Sequence, residues 1–346
     1  MASLEGESIL SPAPEDGVSS VTFAPTTDVL LAGCWDAKLR LYDASTNTLM
    51  HSFAYEAPVL DSCFTDNTHG VGVGLEMCVR LHDFNQPNNS SVLGKHTKGI
   101  RCAEFARDLG VVFSGGWDKV VHAWDPRAPS GTPVGTMPLP GKCFSMSLGG
   151  GGNGRLVVGT SERRIVCFDP RAMKAYDAAD PAGSATAPLF DRPSALDYQT
   201  RAVRCSPDGE GFVVGSIEGR VAVDFINPEA GKKYAFKCHR VGNTVFPVNC
   251  IAFHPFYGTF ATGGCDGFVN IWDGKNRKRL SQMPSFPTSI AALCFNHDGT
   301  KLAVAASYTF EEGEKDTPPD QIYIKAIHDS EVKPKVKAKS QGDAAT

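Results

Sequence analysis

Six times along the chain an acidic residue stands seven positions before the last residue of an alternating apolar run: Asp36 before Asp43, Glu76 before Asp83, Asp118 before Asp125, Glu162 before Asp169, Glu218 before Phe225 and Asp266 before Asp273. The best-formed copies read AGCWDAKLRLYD, SGGWDKVVHAWD and ATGGCDGFVNIWD, and GLEMCVRLHD, TSERRIVCFD and SIEGRVAVDF keep the same register. In each, one strand ends, a tight turn follows at the acid, as in Asp266-Gly267, and a second strand of period two begins. A single hairpin of this kind cannot bury both of its faces and must borrow surface from a neighbour.

The turn acids are separated by 40, 42, 44, 56 and 48 residues. A repeat of about 40 to 45 residues ending in Trp-Asp is the signature of a propeller built from four-stranded blades. A seventh unit follows through Ser289 to Phe295, Lys301 to Ala306, an acidic insertion from Phe310 to Gln321, and Ile322 to Ile327. The expectation is an all-β, seven-bladed WD40 β-propeller over residues 15–330. An N-terminal segment, 1–14, adds the outermost strand to the last blade near Glu7 to Ser11, which removes the open edges. Residues 331–346, with Lys333, Lys335, Lys337 and Lys339 among Pro, Ala and Ser, read as a disordered tail. Blades one to six are placed at Gly17 to Phe53, Ala57 to His96, Gly99 to Pro138, Lys142 to Arg171, Gln199 to Arg240 and Phe246 to Met283. The stretch Lys174 to Ala195 is read as a surface excursion between blades four and five.

Composition narrows the function classes. A formal charge of −4 argues against a protein whose main partner is nucleic acid. No apolar run approaches the roughly 18 residues of a membrane span, and the first residues lack a basic-then-apolar leader. The 11 cysteines contain no C-x-x-C pair, and most lie within strand patterns. They read as reduced thiols of a nuclear or cytoplasmic protein, with no zinc site expected from their spacing.

No catalytic constellation emerges. Gly149 to Gly154 satisfies G-x-G-x-x-G, but the strand Arg155-Leu-Val-Val158 follows it, so no helix N-terminus is present to bind a phosphate. G-x-S-x-G, H-E-x-x-H and the P-loop pattern are absent from the sequence. His96, Ser114, Asp118 and Trp124 have the types of a buried hydrogen-bonded set within blade three, and His239, Thr262, Asp266 and Trp272 repeat it in blade six. The expectation is a non-enzymatic protein without metal or cofactor.

The turns between second and third strands, together with the loops entering each first strand, share one rim of the ring. Just before the turn acids stand Trp35, Leu75, Trp117, Ser161, Ile217 and Cys265. Tryptophan at an exposed turn is costly unless a partner covers it, which marks Trp35 and Trp117 as partner-binding candidates, the alternative being packing on the next blade. Arg201, Arg220 and Arg240 are expected to converge at the mouth between blades five and six. Grouped guanidinium groups suit bidentate capture of carboxylates or a phosphate, the competing reading being local pairing with Glu218 or Asp224.

Ser216 to Phe225, Lys233 to Arg240 and Ala252-Phe-His-Pro255 closely resemble the family shared by the mitotic-checkpoint WD-repeat proteins of the Bub type and the Rae-type messenger-RNA export factors. Tyr198-Gln-Thr-Arg201, Gly267 to Asp273 and Phe286 to Ala291 resemble the checkpoint branch more. The resemblance covers about Glu15 to Lys333. It implies a spindle assembly checkpoint adaptor at the nucleus and kinetochore, also cytoplasmic, monomeric within a hetero-complex. Such an adaptor would bind a glutamate-pair motif of checkpoint kinases or pseudokinases and phosphothreonine repeats of a kinetochore scaffold. By the same resemblance Arg201 and Arg240 would meet the motif glutamates, Arg220 with Arg240 the phosphate, and Trp35 and Trp117 would give apolar contact. The export branch, holding a nucleoporin motif, is one alternative. A substrate receptor of a cullin-type ubiquitin ligase is another, from Trp124-Asp-Pro-Arg127 and Phe168-Asp-Pro-Arg171.

Overall fold

The alternation that marks each hairpin becomes a four-stranded antiparallel sheet, and seven such sheets form a ring. The protein is described by a computed structural model over residues 7–129, 131–150 and 154–335. Blade one is typical, with Val18–Phe23 on the axis, then Val29–Cys34, Lys38–Asp43 and Thr48–Ala54 outward. Blade seven takes Ile290–Phe295, Lys301–Ala306 and Gln321–Ala326 from one end of the chain and its outermost strand, Glu7–Ile9, from the other. Leu10 then turns inward, buried, with its N–H donating to the Ile322 carbonyl at 3.0 Å.

The core lies in the seams, because each sheet faces its neighbour on both sides. Val21, Leu30 and Tyr42 of blade one bury against Ala303 and Ile322 of blade seven. Each such side chain withdrawn from water contributes on the order of 1.5–3 kcal/mol. Blades two and three approach so closely that a β-carbon on Gly94 would lie 1.9 Å from the Trp124 ring.

The turn acids explain their own register. Asp118 Oδ1 and Oδ2 each lie 3.0 Å from His96 Nδ1, His96 Nε2 lies 2.7 Å from Ser114 Oγ, and Trp124 Nε1 donates to the same hydroxyl at 2.7 Å. Blade six repeats the chain through Asp266, His239, Thr262 and Trp272. In blades one and two an arginine four residues on takes the acid instead, Arg40 on Asp36 and Arg80 on Glu76. The residue after the acid is left-handed in all six turns: Ala37, Met77, Lys119, Arg163, Gly219 and Gly267. At Ala37, Met77 and Lys119 a side-chain anchor on the preceding acid holds a conformation that glycine adopts freely and other residues resist.

Two expectations are corrected. The outermost strand of blade four is Phe190–Pro193, inside the stretch read as an excursion between blades. The insertion therefore sits between third and fourth strands of one blade. It folds back on blade three, where Tyr176 N donates to Val134 O and Thr186 N to Thr136 O, covering the edge of Gly135–Pro138. Packing also continues into the stretch read as tail: Asp329–Val332 is a short helix, and buried Val332 accepts a hydrogen bond from Thr259 Oγ1 at 2.8 Å. The rest of the tail, 336–346, the first six residues, and 151–153 of the glycine-rich turn lie outside the described residues.

Ser114→Ala leaves the Trp124 and His96 nitrogens buried without their shared partner, so it should lower stability by about 2–4 kcal/mol in chemical denaturation. A loss under about 0.5 kcal/mol would remove this chain of hydrogen bonds from the account.

Candidate docking rim

All seven innermost strands carry a register shift at their second residue. A bulge leaves its extra residue out of the ladder and re-aims it. Here those residues are Ser19, Leu60, Arg101, Phe144, Arg201, Asn249 and Ala291. Several reach across a seam: Ser19 Oγ donates to Val59 O at 2.5 Å, Arg101 Nη1 to Leu60 O at 3.2 Å, and Arg201 Nη1 to Asn249 Oδ1 at 2.5 Å. Asn249 Nδ2 passes the connection on to Ile290 O at 3.0 Å. Arg201 thus stands at an axial cavity of about 60 Å³ shared with Arg101, Arg204 and Asp61.

Arg220 and Arg240 come together elsewhere, around Glu218. Arg220 begins the third strand of blade five, and its Nε lies 3.7 Å from Glu218 Oε2. Arg240 lies beyond that blade's last strand, Tyr234–Lys237, and opens a separate two-stranded hairpin, Arg240–Val241 with Thr244–Val245. Its Nη2 donates to the Glu218 carbonyl at 2.9 Å. Of the three arginines, Arg220 and Arg240 thus share Glu218, and Arg201, at its bulge, bonds Asn249 of blade six. Asp224, the other acid considered, takes Arg192 at 3.3 Å. The pairing around Glu218 is incomplete: Glu218 Oε1, Arg220 Nε and Arg240 Nε are buried atoms without a hydrogen-bond partner. A buried polar atom left unpaired costs about 1–3 kcal/mol.

The two tryptophans differ. Trp35 is 47% exposed and lies over Gly17, where a β-carbon would be 3.3 Å from the indole. Trp117 is half-buried against Gly99, and its Nε1 is enclosed without a partner. Cys265, at the same turn position of blade six, is buried beside Asn249 and Thr309. Eleven large apolar side chains stand exposed among the described residues, and seven of them, Trp35, Met77, Tyr198, Ile217, Val241, Val245 and Phe310, lie on this rim. The hairpin bearing Val241 and Val245 and the left-handed Phe310 of the blade-seven insertion had no periodic signal in the sequence. An apolar residue interrupting a polar loop is the signal that could have found Phe310.

The family model described as WD domain, G-beta repeat, matches residues 7–43, 88–125 and 232–273. The chain is 49% identical to mitotic checkpoint protein BUB3.1 of Arabidopsis thaliana over 95% of each chain. The chain belongs to the Bub3 family. A second Bub3 relative, from Dictyostelium discoideum, is 41% identical over 91% of this chain and 92% of the relative. The poly(A)+ RNA export protein of Schizosaccharomyces pombe is 32% identical over 94% and 91% respectively. The Bub3 and export proteins thus match the whole ring, and the two Bub3 relatives match it at higher identity.

Trp35→Ala should change unfolding free energy by less than about 1 kcal/mol, whereas Trp117→Ala, which empties an enclosed site, should cost about 2 kcal/mol or more. Equal and large losses would make Trp35 a core residue.

Proposed function

We propose that this chain is a non-enzymatic adaptor of the spindle assembly checkpoint, whose rim holds a short extended segment of a checkpoint kinase or pseudokinase and presents a phosphothreonine site beside it. The observation that carries the reading is the incompletely paired Arg220–Glu218–Arg240 group on the rim that also bears most of the exposed large apolar side chains. Guanidinium groups form bidentate, charge-assisted bonds with carboxylate or phosphate oxygens, contributing about 1.5–3 kcal/mol each. Arg220, with its side chain 37% exposed, remains accessible to such an oxygen. Arg201 would receive a glutamate of the segment by exchanging its bond to Asn249. Trp35 supplies a rigid aromatic anchor of the kind that dominates interface energies.

Bub3 relatives named as mitotic checkpoint proteins support this reading over the export alternative. The charge of −4 also fits a ligand captured by local arginines rather than by a basic surface. The localisation that follows is the nucleus and, in mitosis, the kinetochore.

Calorimetric titration with a glutamate-pair kinase peptide and with the corresponding nucleoporin peptide tests the reading. The kinase peptide should bind, and Arg240→Ala should weaken it by roughly ten- to hundredfold. Preference for the nucleoporin peptide would move the chain to the export role, and binding of neither would overturn the proposal.

A further inference from the structure

Blade three gathers two histidines and a carboxylate at one point. Ser114 and His122 are paired directly across Val111–Gly116 and Val120–Trp124, so their side chains project to the same face. The His96 ring lies on that face, its centroid 4.6 Å from that of His122. Its Nδ1 is 3.0 Å from Asp118 Oδ2, and the two side chains are 0% and 7% exposed. Nδ1 of His122 is a buried atom with no hydrogen-bond partner. One ligand atom from each of His96, Asp118 and His122 lies within 4.8 Å of the others.

We propose that His96, Asp118 and His122 form a binding site for a divalent transition-metal ion, zinc being the best match to two imidazoles and one carboxylate. Ligands about 2.0–2.2 Å from a tetrahedral ion stand roughly 3.3 Å apart, close to the spacing already held between His96 and Asp118. The surrounding groups orient the ligands as metal sites require. Asp118 Oδ2 accepts from Thr97 N at 3.0 Å, and His96 is fixed through Nε2 by Ser114 at 2.7 Å. With the ion on Nδ1, the imidazole proton moves to Nε2 and is donated to Ser114 Oγ. That oxygen has two lone pairs, one taken by the Trp124 N–H. The enclosed, unpartnered Nδ1 of His122 gives that ring a lone pair or N–H that nothing else in the blade engages. Three protein ligands leave an open position for water.

Blade six provides the internal comparison. It has the same Asp266–His239–Thr262–Trp272 chain, but the residue paired with Thr262 is Asn270, which offers no imidazole. One side chain separates a hydrogen-bonded set from a candidate metal site. None of the cysteines takes part, which is why their spacing pointed to no site. An ion here ties the turn that carries Trp117 to the loop entering blade three and to that blade's third strand.

Cobalt(II) titration of the full chain, read by visible absorption, tests the site, with zinc(II) in parallel thermal unfolding. Wild type should develop a ligand-field band that saturates near one equivalent, and zinc should raise the midpoint by about 2 °C or more. His122→Asn, which installs the blade-six residue, should lose both responses while keeping the wild-type circular dichroism and its midpoint in chelator. His122→Gln serves as a second variant if the first is poorly folded. A wild type without the band, or a band that survives unchanged in a folded variant, would overturn the proposal.

Discussion

Each sheet of this molecule is apolar on both faces, so no blade is stable except between two others, and the ring must close. Closure is made by Glu7–Ile9 pairing with Gln321–Ala326, which joins the two ends of the chain in one sheet. Everything else follows from that constraint. Because neighbouring blades bury each other, the innermost strands are forced together around the axis. Four of the bulged residues, Ser19, Arg101, Arg201 and Asn249, then find partners across the seams.

The same packing sorts chemistry between the two ends of the ring. The turns of blades one, two, three and six at one rim are held by acid–histidine or acid–arginine pairs, so they are stiff and can present side chains that core packing would otherwise reject. Trp35 is exposed on such a turn, Ile217 on that of blade five, and Val241 and Phe310 on the longer connections beside them. In blade five the turn acid is Glu218, and here the pairing is unfinished: Arg220 faces its carboxylate and Arg240 bonds its backbone carbonyl, while three polar atoms remain unmatched. The turn acids of blades one, two, three and six are each fully engaged by a histidine or an arginine, whereas Glu218 keeps a buried oxygen unpaired, and the proposed ligand chemistry follows from that difference.

Much of this was legible in the residues. The seven-position register of the turn acids gave the hairpins, their intervals gave the blades, and His96-Ser114-Asp118-Trp124 gave a hydrogen-bonded chain whose members meet as expected. What escaped was non-periodic. A bulge has no composition of its own, so the re-aiming of Arg201 toward Asn249 could not be read from Tyr198-Gln-Thr-Arg201. The strand Phe190–Pro193 is four residues long and stands behind an Ala-, Asp- and Pro-rich insertion, which hid the last strand of blade four. Arg240 was placed at a strand end because the hairpin it opens is only two residues per strand. His122 was invisible as a partner of His96 because cross-strand pairing, rather than sequence spacing, brings them together.

The central claim is that the rim of the acid-bearing turns is the docking face. Amide hydrogen exchange of the chain with and without a bound checkpoint-kinase segment measures this most directly. The account predicts new protection at the turns around Trp35 and Glu218, in the 240–245 hairpin and in the insertion beginning at Tyr308, with the loops at 107–110 and 254–258 on the opposite rim unchanged. Protection confined to the opposite rim or to the outer strands would contradict it.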